Sequence, residues 1–512
     1  GTVGFERCTL SYLMNMTLDG TAKFYNRTYV QEVQYADLGG TVTLDDHSYL
    51  EWVYQELDLS GTVHVWDSSM VRYIPALFNV TGTVDFEHSE IYNTYNYLRV
   101  MGTLMMNGSS LRYLNMGLNN TGVLSITHGY AYRIYHGMLL HGDTKIDLSD
   151  FYYVYTGIHV TVDKVSVTNS NFYNLYDLGF HLMDSDATFN NVTIDVYTGT
   201  SRGFFTTDHI GDWDDRYTMA IGTGIWVEGG APTFLDVDVE ADSTGEFHLN
   251  WTGDEADVRT YIRTFVAAVM IDSDEMKNVA GLSVHSSSVR TRVYVDASNP
   301  GTNPLYFNID LEIRTAGIGL VDYSNVTITD VEAWNNYRSS VYGPFISGGY
   351  YSNGYSWYSS SDYEVTALVV GDYTSSPSPI LNIMDTELDD GSDWFHLYYN
   401  PTYSGAGTPV FANTVHIENV TVNNAWNRVF WFDLTSGDED PRDFSMDTRV
   451  TDCHFEGLYS QLMYYYFFPG DSIDRSAQTV DVTEMFRFDN NTITESYYSW
   501  AYLDIGSGGN DM

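Results

Sequence analysis

"GTVDFEHSEIYNTYNYLRV", Gly82–Val100, is followed at Gly102–Tyr113 by "GTLMMNGSSLRY". Each phrase opens on Gly-Thr, alternates apolar with polar residues, and breaks at a polar turn residue, His88 in the first and Asn107 in the second. The same opening stands at Gly1-Thr2, Gly20-Thr21, Gly40-Thr41 and Gly61-Thr62, continues at Gly122-Val123, and weakens at Gly142-Asp143. A period near twenty residues therefore runs through this part of the chain.

Inside each repeat the order is apolar, any residue, turn residue, two further residues, then apolar or aromatic, as with Val65, Asp67 and Met70 in "VHVWDSSMV". The turn position is filled by Arg7, Asn26, Asp46, Asp67, His88, Asn107, His128, Leu148, Asn169 and Asn191, at intervals of 19 to 22 residues. It returns at Asp236, Ser286, Asn325, Asp385, Asn419, Asp452 and Asn490, where the intervals widen to 33 to 60 residues and long insertions must leave the repeats. Asn and Asp tolerate the left-handed backbone and bond to nearby main chain, so they turn a chain sharply. Apolar residues alternating at period two around such turns are strand behaviour.

Short strands joined by tight turns at a fixed period predict an all-β chain wound as a parallel β-solenoid, each coil bonded to the next. Leucine-rich repeats share the period but need a leucine ladder, and this chain offers mixed Val, Ile, Phe, Met and Tyr. The phrases "VTNSNF" (167–172), "FNNVTI" (189–194), "YSNVTI" (323–328), "IENVTV" (417–422) and "FDNNTI" (488–493) resemble the right-handed parallel β-helix superfamily, the pectate-lyase-like fold. The resemblance covers most of the chain except roughly residues 196–230 and 339–363. It implies a right-handed β-helix and identifies a fold rather than an activity. The expected organisation is regular coils of about 20 residues over 1–195, an insertion with irregular coils over 196–265, and longer, loop-bearing coils over 266–512 that include a Tyr/Gly/Ser-rich loop at 342–363.

Composition narrows the setting. The chain has 512 residues and a formal charge of -45, from 23 Lys+Arg against 68 Asp+Glu. Its only lysines are Lys23, Lys145, Lys164 and Lys277. Such a surface repels nucleic acid and anionic membranes. High acidity with little lysine points to a saline or calcium-rich exterior, where salt screens the repulsion between carboxylates. No apolar run is long enough to span a bilayer, so membrane insertion within this segment is not expected. The absence of an initiating methionine or a leader suggests an excised segment of a longer secreted protein. Cys8 and Cys453 each follow a turn residue. In one solenoid they lie too many coils apart to pair, so they are expected as small core thiols or as partners of another chain.

Candidate sites follow from residue type. Ten N-x-Ser/Thr sequons, at Asn15, Asn26, Asn79, Asn107, Asn119, Asn191, Asn250, Asn325, Asn419 and Asn490, are candidate glycosylation sites, with Asn325, Asn419 and Asn490 expected on related corners. "DHIGDWDDRY" gathers Asp208, Asp212, Asp214 and Asp215 beside His209, the best candidate for calcium. The clusters around Asp385 to Asp393 and Asp438 to Asp443 read as solvated loops. No catalytic residue is assigned. A polygalacturonase-like site would require N-x-D, D-D, G-H-G and R-x-K in order, but "NID" at Asn308–Asp310 is isolated and no R-x-K exists. The His128, His136 and His141 pairs with glycine lack acid-base partners in the sequence.

The 43 tyrosines are the remaining unusual feature, suited to interfaces, to sugar stacking and to stacks between coils. The expected function is that of a non-enzymatic extracellular or cell-surface structural protein from a salt-adapted setting, a building block of a filament, sheath, surface layer or adhesin that associates with itself. A first residue already in repeat phase leaves an open coil for another chain or segment to cover. The alternatives are a secreted polysaccharide-active enzyme on the same fold, with carbohydrate as partner, and a trimeric viral receptor-binding spike.

Overall fold

Segments of three to five residues in which every second side chain is apolar form strands, and the Asn, Asp, His and Gly residues between them turn the chain. The computed structural model describes residues 1–176, 178–199, 203–207, 221–251, 257–297, 306–322, 325–335, 341–347, 356–370, 380–399, 410–436, 443–469, 482–497 and 501–505. Over these residues the chain is all-β, and the strand pairings are parallel. No helix among them is long and apolar enough to cross a membrane. The chain divides into two units, Gly1–Val196 with Ile225–Asp238, and Tyr197–Gly224 with Val239–Met512.

In the first unit one repeat supplies three strands, for example Thr83–Glu87, Glu90–Thr94 and Leu98–Val100. Each pairs in register with its counterparts one repeat before and after: Val84 with Val63 and Leu104, Ile91 with Val71 and Leu111, Leu98 with Phe78 and Leu118. Three parallel ladders result, compatible with a β-helix. The inward side chains of this repeat, Val84, Phe86, Ile91, Leu98 and Val100, are fully buried. Further along, Phe151, Phe172, Phe180 and Phe189 form a continuous internal stack with centroid separations of 4.7, 4.9 and 5.1 Å. The core stack of this unit is therefore phenylalanine, and among the described residues no tyrosine is buried.

The Gly-Thr phrase has a steric cause. A methyl group on Gly82 would lie 2.1 Å from the Gly61 carbonyl oxygen, and one on Gly102 equally 2.1 Å from that of Gly82. The backbones touch at this corner, and only a residue without Cβ fits. The following threonine then opens the first ladder, Thr83 N donating to Gly61 O at 2.8 Å.

The turn positions are left-handed as expected at Arg7, Asn26, Asp46, Asp67, His88, His128, Leu148, Asn169, Asn191, Asp236, Asp385, Asn419, Asp452 and Asn490. Three expectations need correction. Gly108, not Asn107, carries the positive φ of its repeat. Gly281 is the left-handed residue five positions before Ser286, which instead pairs in strand register with Asn335. Asp330 is the corner five positions after Asn325, which opens a strand opposite Ile380. The apolar position placed at Met70 is also shifted. Met70 is half-buried and faces outward, while Ser69 and Val71 on either side are buried.

That shift uncovers a buried hydroxyl column. The residue directly after the left-handed corner is Thr28, Ser48, Ser69, Ser89, Ser109, Ser149 or Ser170, all buried. Ser149 Oγ accepts from Gly129 N at 2.9 Å and donates to Asp147 O at 2.7 Å, and Ser170 Oγ accepts from Ser149 N at 3.1 Å. These hydroxyls satisfy backbone groups that the corner removes from the ladders. Cys8 and Cys453 occupy this same position as free thiols. Cys453 is buried, its Sγ lies 3.1 Å from Thr451 O, and burial pushes its thiol up.

In the second unit the parallel pairings span larger offsets, Val326 with Leu381, Ile380 with Thr414, Thr421 with His454 and His454 with Thr492. Its core carries a second phenylalanine series, Phe395 to Phe430 at 5.2 Å and Phe430 to Phe455 at 6.1 Å.

Candidate functional site

The second ladder of the first unit departs from simple alternation. In Glu90–Thr94, Ile91 and Thr94 point inward while Tyr92 and Asn93 lie consecutively outside, because Asn93 adopts φ 56°. The same left-handed position recurs at Tyr12, Glu32, Trp52, Tyr73, Tyr113, Arg133, Tyr153 and Asn174. A bulky residue at positive φ is a genuine outlier, and a column of them is a repeated bulge that places an extra side chain on the outer face.

This face is aromatic. Residues 49–54, 70–75, 90–95, 110–115, 130–135, 150–155 and 171–176 contain fourteen tyrosines and Trp52, about a third of the chain's tyrosines in under a tenth of its length. The rings contact one another from repeat to repeat. Trp52 stacks on Tyr73 at 4.9 Å and 11°. Edge-to-face contacts then run from Tyr73 to Tyr92 at 5.6 Å, Tyr92 to Tyr113 at 5.4 Å, Tyr113 to Tyr132 at 5.6 Å and Tyr132 to Tyr153 at 5.4 Å. A parallel file joins Tyr135, Tyr155 and Tyr176 with spacings of 5.2 and 4.4 Å. Such pairs prefer these geometries because the ring edge is positive and its face negative.

Three arginines interleave with the rings. The Arg72 guanidinium lies 4.4 Å from the Tyr49 centroid and its Nε donates to Glu51 Oε2 at 2.6 Å. Arg112 pairs with Glu90 at 3.4 Å, and Arg133 sits 5.6 Å from Tyr113 and 5.2 Å from Tyr132. Within these seven segments Arg72, Arg112 and Arg133 balance the carboxylates Glu51, Glu90 and Asp150, so this stretch of the face, beyond Glu32, is formally neutral in a chain of charge -45. Burial and the neighbouring Tyr73 and Tyr113 push Tyr92 up, and burial with Asp150 does so at Tyr152.

Beside the third ladder, His159 Nδ1 lies 3.3 Å from His181 Nδ1, and His159 Nε2 lies 3.0 Å from Thr156 O. His181 Nε2 contacts Glu228 Oε2 at 2.7 Å and its ring stacks on Trp226 at 4.4 Å. Burial lowers His159 below the ordinary histidine value, against the opposing pull of the Thr156 carbonyl.

The sequons fall in different environments. Asn15, Asn107, Asn191, Asn325, Asn419 and Asn490 are exposed, Asn26 and Asn119 half-buried, and Asn79 is buried with its Nδ2 3.4 Å from Glu56. The side chain of Asn250 lies outside the described residues. At the corners the amide nitrogen that a glycan would use is engaged in a ladder: Asn191 donates to Asn169 at 2.9 Å, Asn419 to Asp385 at 2.6 Å, and Asn490 to Asp452. Asn325, at a strand start, does not share the corner of Asn419 and Asn490. Asp208, Asp212, Asp214 and Asp215 lie outside the described residues, as do the side chains of 342–363, a segment expected as a loop whose described backbone is strand in Val341–Ser347 and Ser356–Val370. Among the described residues one group has the spacing to hold a metal ion, Glu240, Asp242 and His285 in the second unit.

No family model matches the chain, and no curated protein matches it significantly. The functional reading therefore rests on the geometry above. The sequence marks the tyrosines as suited to interfaces and to stacks between coils, but their number alone does not locate this face. The signal was available at the same period, since Trp52, Tyr73, Tyr113 and Tyr153 recur in phase with the corners.

Proposed function

We propose that this chain is a non-enzymatic extracellular or cell-surface structural protein, a right-handed parallel β-helix with coils of about twenty residues in its first part, that associates with further copies of itself. The supporting observation is the charge-balanced aromatic face of the first unit. Elsewhere a charge of -45 opposes the approach of another copy, whereas here the repulsion is locally cancelled. Rigid tyrosines supply contact area at low entropic cost, and their hydroxyls and the arginines supply directional bonds. The rings engage one another's faces, which leaves less free ring surface for a sugar to stack on and favours a protein partner. Calcium in the medium would further neutralise the carboxylate surface between copies.

Electron microscopy of the purified chain at high salt tests this reading. Ordered filaments or sheets are the expected outcome. Uniformly dispersed single particles would refute self-assembly of this segment and direct attention to cleavage of neutral polysaccharides.

A further inference from the structure

Glu240 and Asp242 belong to Thr233–Trp251, and His285 to the adjacent, paired strand Asn278–Ala297. Along the first strand Val239 and Ala241 are buried, so Glu240 and Asp242, two residues apart, share the opposite face. On the neighbouring strand Leu282 and Val284 are the inward residues, which places His285 on that same outer face. His285 is nonetheless only 5% exposed, an unusual burial for a histidine turned away from the apolar core. One donor atom from each of the three residues lies within 4.8 Å of the other two, and His285 Nδ1 is 3.4 Å from Glu240 Oε1.

We propose that Glu240, Asp242 and His285 form a binding site for one divalent transition-metal ion, of the zinc, cobalt or manganese class. The donor set decides the class. Calcium and magnesium take oxygen ligands, whereas an imidazole nitrogen beside two carboxylates suits borderline metals. Three protein ligands leave a further coordination position for water, as in sites that are not closed by four side chains. Two ligands on one strand and one on its hydrogen-bonded neighbour give a frame fixed by the sheet, so the ion would tie adjacent strands together. The site is independent of the aromatic face, which lies in the first unit.

The test must separate a defined site from the diffuse attraction of cations to a polyanion. The full chain, stripped with chelator, is titrated with cobalt(II) and zinc(II) by calorimetry and visible absorption in molar salt with excess calcium. The expected result is one ion per chain that calcium does not displace, with d-d absorption bands for cobalt. His285→Gln should lose binding, and the half-buried Glu240→Gln and Asp242→Asn should each weaken it by more than about tenfold, the loss that even an outer-shell partner can cause. Several weak sites displaced by calcium would overturn the proposal, as would binding unchanged in Glu240→Gln and Asp242→Asn. Those two variants decide the matter if His285→Gln fails to fold.

Discussion

Burial holds the His159 imidazole below its ordinary value of 6.5, so the folded chain keeps this ring neutral where the unfolded chain takes up a proton. Between the two values the unfolded state binds more protons, and stability rises with pH. The contribution is intact above about pH 6.5 and is lost progressively as the solution is acidified towards the folded value. Urea midpoints of the wild type should therefore fall between pH 7.5 and 5.5, and the fall should be shallower in His159→Gln; identical slopes would remove His159 as the cause. At lower pH the carboxylates act in the same direction. Asp147 is held low by hydrogen bonds from Thr168 and then Asn169, and Glu240 by His285, so stability present above their unfolded values is lost as they protonate. Single residues also explain the shape of the repeat. Gly82 and Gly102 are fixed by contact between successive backbones, and Cys453 stands where other repeats place serine.

At the scale of the strand and its corner, the buried hydroxyl after each turn stabilises the ladder. Ser149→Ala removes the acceptor of the Gly129 N–H and leaves that buried donor unpaired, a cost of about 1–3 kcal/mol. Chemical denaturation should register that loss; an unchanged midpoint would show that water replaces the hydroxyl. The period and the left-handed corners were legible in the sequence because Asn, Asp and His at fixed spacing announce a turn. The hydroxyl column was not, since a serine beside a turn carries no sequence mark of burial, and Ser48 and Ser69 are nonetheless buried among backbone groups. The phrase N-V-T shows the limit of motif reading. In Asn191 and Asn419 its asparagine is the corner, while in Asn325 it begins a strand and Asp330 turns instead. The tripeptide is the same in the three places, so it does not by itself fix the register. The aromatic bulges escaped notice for a different reason: tyrosine and tryptophan at positive φ contradict their own propensity and are held there by neighbouring strands.

Across the whole molecule, charge governs how copies meet. With -45 formal charges, copies repel at low ionic strength over a Debye length of about 30 Å at 0.01 M, which shrinks to about 3 Å at 1 M. Association through a neutral aromatic face should thus strengthen as salt is added, opposite to an interface built on ion pairs. The most direct test places charge on that face. Sedimentation velocity in 1 M salt compares the wild type with Tyr113→Glu combined with Tyr132→Glu, two half-buried outward residues whose substitution leaves the phenylalanine core intact. The account predicts concentration-dependent oligomers for the wild type and a monomer with an unchanged β-sheet circular dichroism spectrum for the variant. A wild type that remains monomeric at every concentration, or a variant that associates as strongly, would contradict it.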